Sequence, residues 1–154
     1  MNEGRISVVL WLLVSWVQSL EITSLSLPSY TLQGGNASFH CAYTVNSSQL
    51  AELDIKWYLG SSPSPFLVFL PFLKQQQVVD PTFRHRILFR EERGGSGFLM
   101  LNMSSEMSGV YTCKVSTNTQ ESIRRKRIKI YSEYCHSTVS TQKQKKNKFT
   151  LILK

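Results

Sequence analysis

Apolar and polar side chains alternate with a period of two along several stretches of this chain, the signature of half-buried strands. Ala37, Phe39, Cys41 and Tyr43 interleave with Ser38, His40 and Ala42. Leu53, Ile55 and Trp57 interleave with Asp54, Lys56 and Tyr58. Over 109–115 the inward positions are Tyr111, Cys113 and Val115; over 122–131 Ile128 and Ile130 share a face. Phe98, Met100 and Met103 fall at inward spacing just before the Tyr111 strand. Residues 24–31 read as a first strand, with Pro28 confining it to an edge because proline cannot donate to a ladder. Gly34-Gly35 and the run from Gly60 through Pro63 to Pro65 punctuate the pattern. The elements are all strands, with no internal repeat.

Two cysteines, Cys41 and Cys113, lie about seventy residues apart, with Trp57 about sixteen after the first and Tyr111 two before the second; this is the pinned-core pattern of an immunoglobulin-type sandwich. Tyr111 fits the tyrosine corner of that fold. The chain therefore resembles the immunoglobulin superfamily over residues 24–131, which implies an all-β, immunoglobulin-like (V-type) antiparallel β-sandwich with one inter-sheet disulfide, Cys41 to Cys113. About forty residues separate Trp57 from Phe98, enough for three further strands, which favours the longer variable type over the constant type. A bond closing that loop is worth about 4 kcal/mol in the chain-entropy picture.

The chain has 154 residues and a net charge of +8. Residues 1–19 read as a secretory signal: Arg5 opens it, the apolar run 6–17 follows, and Val17-Gln18-Ser19 offers small residues for cleavage, with Glu3 off pattern. A run of twelve residues makes about 18 Å of helix, short of the ~30 Å hydrocarbon core of a bilayer. No second segment is long enough to span a membrane, so the expectation is a secreted product in an oxidising compartment. Residues 124–154 hold ten basic residues and one acid, while the rest of the chain is near neutral. The stretch 132–154 reads as a basic, disordered tail. It contains Cys135, an odd cysteine that suggests an intermolecular bond, a free thiol or no role.

Finer motifs resemble the first domain of the insect beaten path proteins. They are Leu27-Pro28-Ser29-Tyr30, Gly35-Asn36-Ala37-Ser38-Phe39-His40-Cys41-Ala42-Tyr43, Ile55-Lys56-Trp57-Tyr58, Phe69-Leu70-Pro71 and Ser108-Gly109-Val110-Tyr111-Thr112-Cys113-Lys114-Val115-Ser116. The resemblance implies a neuronal recognition protein whose partner is a transmembrane immunoglobulin protein of the sidestep type, acting in axon guidance or synaptic partner choice. Two features depart from the broader patterns. Many variable-type domains carry an Asp six residues before the second cysteine that pairs with an Arg; here Met107 stands there, leaving Arg84 or Arg86 without that acid. The beaten path family also usually continues into a second domain or a cysteine-containing tail, whereas residues 132–154 are a short lysine-rich stretch with the single Cys135.

Candidate chemistry is that of binding. His40, His85 and His136 are not at metal-ligand spacing with other donors, and no nucleophile elbow or phosphate loop is present, so no catalytic site, metal or cofactor is expected. His40 reads as a solvated surface residue. Three sequons, at Asn36, Asn46 and Asn102, predict N-glycans, the first two in or beside turns and the third on a strand. The apolar run 66–72 breaks the alternation. Only about half of a strand's side chains can be buried on one face, so Phe66, Phe69 and Tyr58 are the candidate partner-binding residues. The run Arg124-Arg125-Lys126-Arg127 with Lys129 is a candidate site for heparan-type polyanions, split by strand alternation into two patches; its plainer reading is a solvated edge that blocks aggregation. Nucleic acid is not expected as a partner of a secreted chain. Beside cell recognition stand two alternatives: a matrix-associated factor that binds heparan sulfate, and an immune receptor or decoy fragment of the same fold.

Overall fold

The computed structural model describes residues 19–90 and 95–132 of the protein. The leader, Cys135, His136 and nearly all of the basic tail lie outside the described residues. Among the described residues ten strands form: β1 (Glu21–Ser26), β2 (Tyr30–Leu32), β3 (Ala37–Thr44), β4 (Asp54–Leu59), β5 (Leu67–Leu70), β6 (Gln75–Val78), β7 (Ile87–Arg90), β8 (Gly95–Met100), β9 (Gly109–Ser116) and β10 (Glu121–Tyr131). They make two sheets, a four-stranded one in the order β1-β3-β8-β7 and a six-stranded one in the order β2-β10-β9-β4-β5-β6. The three strands expected between Trp57 and Phe98 are β5, β6 and β7. Of these, β5 and β6 extend the β10-β9-β4 sheet, the addition that defines the variable type.

The sheets are joined by the Cys41–Cys113 disulfide, which links positions 72 residues apart. Packed around it are the largest buried side chains. Phe39 stacks on Phe98 with centroids 4.7 Å apart. Trp57 meets the edges of both, at 5.9 and 5.1 Å. Tyr111 closes the cluster at 4.8 Å from Phe39, and its hydroxyl donates to the carbonyl oxygen of Met107 at 2.8 Å, four residues upstream. Phe98, Met100 and Met103 are all buried, as the spacing predicts.

The first strand differs from its expectation. Residues 24–31 do not form one edge strand; the segment is divided between the two sheets. β1 pairs antiparallel with β3, while β2 pairs parallel with β10, Tyr30 opposite Lys129. The crossing falls at Leu27-Pro28-Ser29, where Pro28 has no N–H to continue the β1 ladder. Leu27 is buried between the sheets. The Ser29 carbonyl accepts from Lys129 N at 3.0 Å as the second pairing begins. Gly34, at φ +80°, makes the turn that follows, and its N–H bonds the Met103 carbonyl at 2.8 Å.

Arg86 is the arginine that would meet the absent acid. Its Nη1 donates to the Asn102 carbonyl at 2.6 Å and lies 3.9 Å from Sδ of buried Met107. A charge-assisted bond to a backbone oxygen and a soft sulfur contact thus occupy the place of an ion pair.

Burial holds the Tyr111 phenol well above its ordinary value of 10.0. The folded domain therefore keeps a proton that the unfolded chain gives up, and the stability involved is complete below pH 10 and lost as pH rises past it. Tyr111→Phe should cost about 1–2 kcal/mol at neutral pH, because the Met107 carbonyl loses its donor. Urea unfolding at pH 7 and in the alkaline range should show this cost, with a smaller alkaline loss in the variant than in the parent.

Candidate functional site

The disulfide sets which residues of the six-stranded sheet face outward. Cys113 points inward, so on β9 Val110, Thr112, Lys114 and Ser116 point out. Register carries this parity sideways. Lys56 on β4 lies opposite Lys114 and also opposite Val68 on β5. Tyr58 lies opposite Thr112, Thr112 opposite Arg125, and Leu70 opposite Gln75. The outward face therefore gathers Tyr58, Val68, Leu70 and Val110, all half-buried, around a paired set of charges.

Those charges need pairing. Two lysines directly opposite each other, Lys56 and Lys114, repel. Lys56 Nζ bonds Asp54, and Asp54 also accepts from Ser116 Oγ. Lys114 Nζ bonds Glu121, and that hydrogen bond, helped by nearby charges and opposed by burial, raises the Lys114 ammonium above its usual value. Each lysine carries its own acid, so this part of the face is close to neutral beside its apolar residues.

Phe66 and Phe69 do not belong to this face, contrary to the expectation. Phe66 is 3% exposed, with its ring 4.7 Å from Phe83 and edge-on to Phe98 and Tyr111 at 6.1 and 6.0 Å. It precedes β5, with its N–H bonded to the Trp57 carbonyl at 2.9 Å, so it and Leu67 both turn inward. Phe69 lies opposite inward Ile55 and packs against the core. Tyr58 does face outward. The exposed part of the apolar run lies further on, at the β5–β6 turn, where Phe72 is 60% and Leu73 is 57% exposed. The turn is closed by Lys74 N–H to the Pro71 carbonyl at 3.2 Å, with Lys74 at φ +51°. The signal for this tip lay in Pro71 followed by Lys74 and three glutamines, a turn and an edge strand.

None of the three sequon asparagines lies on β4, β5, β6, β9 or β10. Asn46 caps a 3-10 turn over Ser47–Glu52 by accepting from Ser48 N. Asn36 Oδ1 accepts from Asn102 N at 3.0 Å. In both, the oxygen is engaged, while the amide nitrogen that would carry a glycan makes no hydrogen bond among the described residues. Asn102 is not on a strand: β8 ends at Met100, and Asn102 is an exposed turn residue at φ +50°. His40 is half-buried and not solvated as expected; its ring lies over Gly95, where a Cβ would come within 2.5 Å of Nε2. Among the described residues no group of three or more metal-ligating side chains forms, and no helix is long and apolar enough to cross a membrane.

A disulfide-pinned sandwich with an outward apolar face defines a recognition module of the cell surface or extracellular space. The chain belongs to the immunoglobulin V-set domain family, which it matches over residues 28–132. It is 29% identical over 84 residues to V-set and immunoglobulin domain-containing protein 1 of Xenopus laevis, an alignment that covers 53% of this chain and 26% of that protein. The chain thus spans about a quarter of the curated relative.

The inward and outward assignments predict opposite sensitivities. Phe66→Ala should cost about 3–5 kcal/mol, whereas Phe72→Ala should stay within about 0.5 kcal/mol. Chemical denaturation of both variants measures this directly; equal costs would contradict the assignment.

Proposed function

We propose that this chain is a secreted cell-recognition protein. It binds a transmembrane immunoglobulin-family protein through the outward face of its six-stranded sheet, in axon guidance or synaptic partner choice. The observation that carries the reading is the apolar set Tyr58, Val68 and Leu70 running into the exposed tip Phe72-Leu73. Exposed contiguous apolar area marks interaction sites, and aromatic anchors dominate their energetics. Two further features support it. Lys56 and Lys114 hold their own acids, so covering them strands no unpaired charge. The three sequons leave these strands uncovered. The sidestep-type partner rests on the motif likeness to beaten path proteins, and secretion rests on the leader pattern of residues 1–19.

Single-domain contacts of this kind are weak, so the chain should be multimerised to gain avidity and screened against cell-surface immunoglobulin ectodomains, sidestep-type ones included. Phe72→Asp should weaken the captured interaction by at least about twentyfold, the scale of a hot-spot residue. Leu88→Asp, on exposed β7 of the other sheet, should leave it unchanged. The reverse pattern would move the interface to the four-stranded sheet.

A further inference from the structure

The basic run on β10 is sorted by the fold into two halves with different roles. Its even-numbered side chains, with that of Gln120 just before the strand, stitch the first strand to the last. Gln120 Oε1 accepts from Leu20 N at 2.7 Å, and Ser122 Oγ accepts from Ile22 N at 3.1 Å. Arg124 lies 4.0 Å from Glu21, and Lys126 Nζ donates to the Leu27 carbonyl at 2.6 Å. Ile128 then enters the core. This ladder of side chains closes the edge of β10 that β2, pairing only with residues 129–131, leaves open. It accounts for Arg124 and Lys126, and it removes the need for further charge to guard that edge.

The odd-numbered cations remain unexplained by folding. Arg125, Arg127 and Lys129 are exposed on the outward face, opposite the uncharged Thr112, Val110 and Tyr30 respectively. Among the described residues, no acid forms an ion pair with any of them; Asp54 and Glu121, the acids of that face, are taken by Lys56 and Lys114. Alternate residues of a strand repeat every ~6.7 Å. The three charges therefore lie within about one Debye length, ~8 Å at physiological salt, of each neighbour and repel it. A straight row of like charges, kept at some cost in stability and led by two arginines whose planar forks suit three-oxygen anions, has the form of a site for a linear polyanion.

We propose that Arg125, Arg127 and Lys129 form a binding row for a sulfated glycosaminoglycan of the heparan type. The exposed rings of Tyr30 and Tyr131, 6.5 Å apart, stand at the lower end of the row and offer apolar surface for sugar faces. The row lies on the β10 side of the sheet, whereas the apolar surface lies on β4 and β5. Glycan binding is thus separable from partner binding.

The test is binding of the whole chain to immobilised heparin across a salt series. Three variants are compared with the parent: Arg125→Gln/Arg127→Gln/Lys129→Gln, Phe72→Asp, and a tail variant with Lys143, Lys145 and Lys146 changed to Gln. The expected result is retention that requires sulfate, shown by its absence on desulfated heparin. The slope of log Kd against log salt should fall by about two to three in the row variant, by analogy with counterion release from other linear polyanions. Phe72→Asp should leave it unchanged. Thermal unfolding should show the row variant at least as stable as the parent, since only repulsion is removed. The proposal is overturned if the parent is not retained, if desulfated heparin binds equally, or if the tail variant alone removes the salt dependence. Retention on polyglutamate but not on heparin would assign the row to an acidic protein surface and would also overturn it.

Discussion

The Cys41–Cys113 bond and the aromatic cluster around it fix a parity on which everything else in this domain depends. Once Cys113 points inward, every second residue of β9 must point out. Hydrogen-bonded register then transmits that choice to β4, β5 and β10, placing Tyr58, Lys56, Val68 and Arg125 on the solvent side. A slip of one residue in β4 would bury Lys56 and expose Trp57, and one in β9 would bury Lys114 and expose Tyr111. Phe39, Trp57, Phe98 and Tyr111 make such a slip expensive, because Phe39 packs against the other three and Trp57 also against Phe98 in a close-packed interior. The make-up of the outward face is thus a consequence of the core.

That logic also shows how much could be read from the sequence. Where polar and apolar residues alternate, as around Cys41, Trp57 and Tyr111, strand and inward face were both legible. Where they do not, period carries no parity. The run 66–72 is apolar at almost every position, so nothing in it reveals that Phe66 precedes the strand and turns into the core, or that Phe69 shares the side of Ile55. The cations at 124–127 pose the same difficulty in charged form. Only Ile128, buried, shows that Arg124 and Lys126 belong with β1 while Arg125 and Arg127 face water. The division of the first strand was half legible, in Pro28. What could not be seen was that Leu27 would plug the gap between the sheets and that the chain would cross there. Met107 in place of an acid was visible, but the answer to it, Arg86 donating to the Asn102 carbonyl, depends on a turn that the sequence read as strand.

On this account one sheet face has two regions of different physics. Around β4 and β5 Lys56 and Lys114 are paired locally and the exposed area running to Phe72 and Leu73 is apolar, so association there would be driven by desolvation and would respond little to salt. Along β10 the charges are unpaired and of one sign, so association there would be electrostatic and strongly screened. With both proposals taken together, one region would hold the module near a polyanionic matrix while the other tests partners. The sequons lie in turns that flank β3 and follow β8, strands of the opposite sheet.

The central claim is that the outward face of the six-stranded sheet is the recognition surface. Hydrogen–deuterium exchange on the chain alone and with its captured ectodomain tests it most directly. Binding through this face should slow exchange in β4, β5 and the turn that bears Phe72 and Leu73, with β1, β3, β7 and β8 unchanged. Slowing confined to those four strands, with the β5–β6 turn exchanging as freely as before, would contradict it.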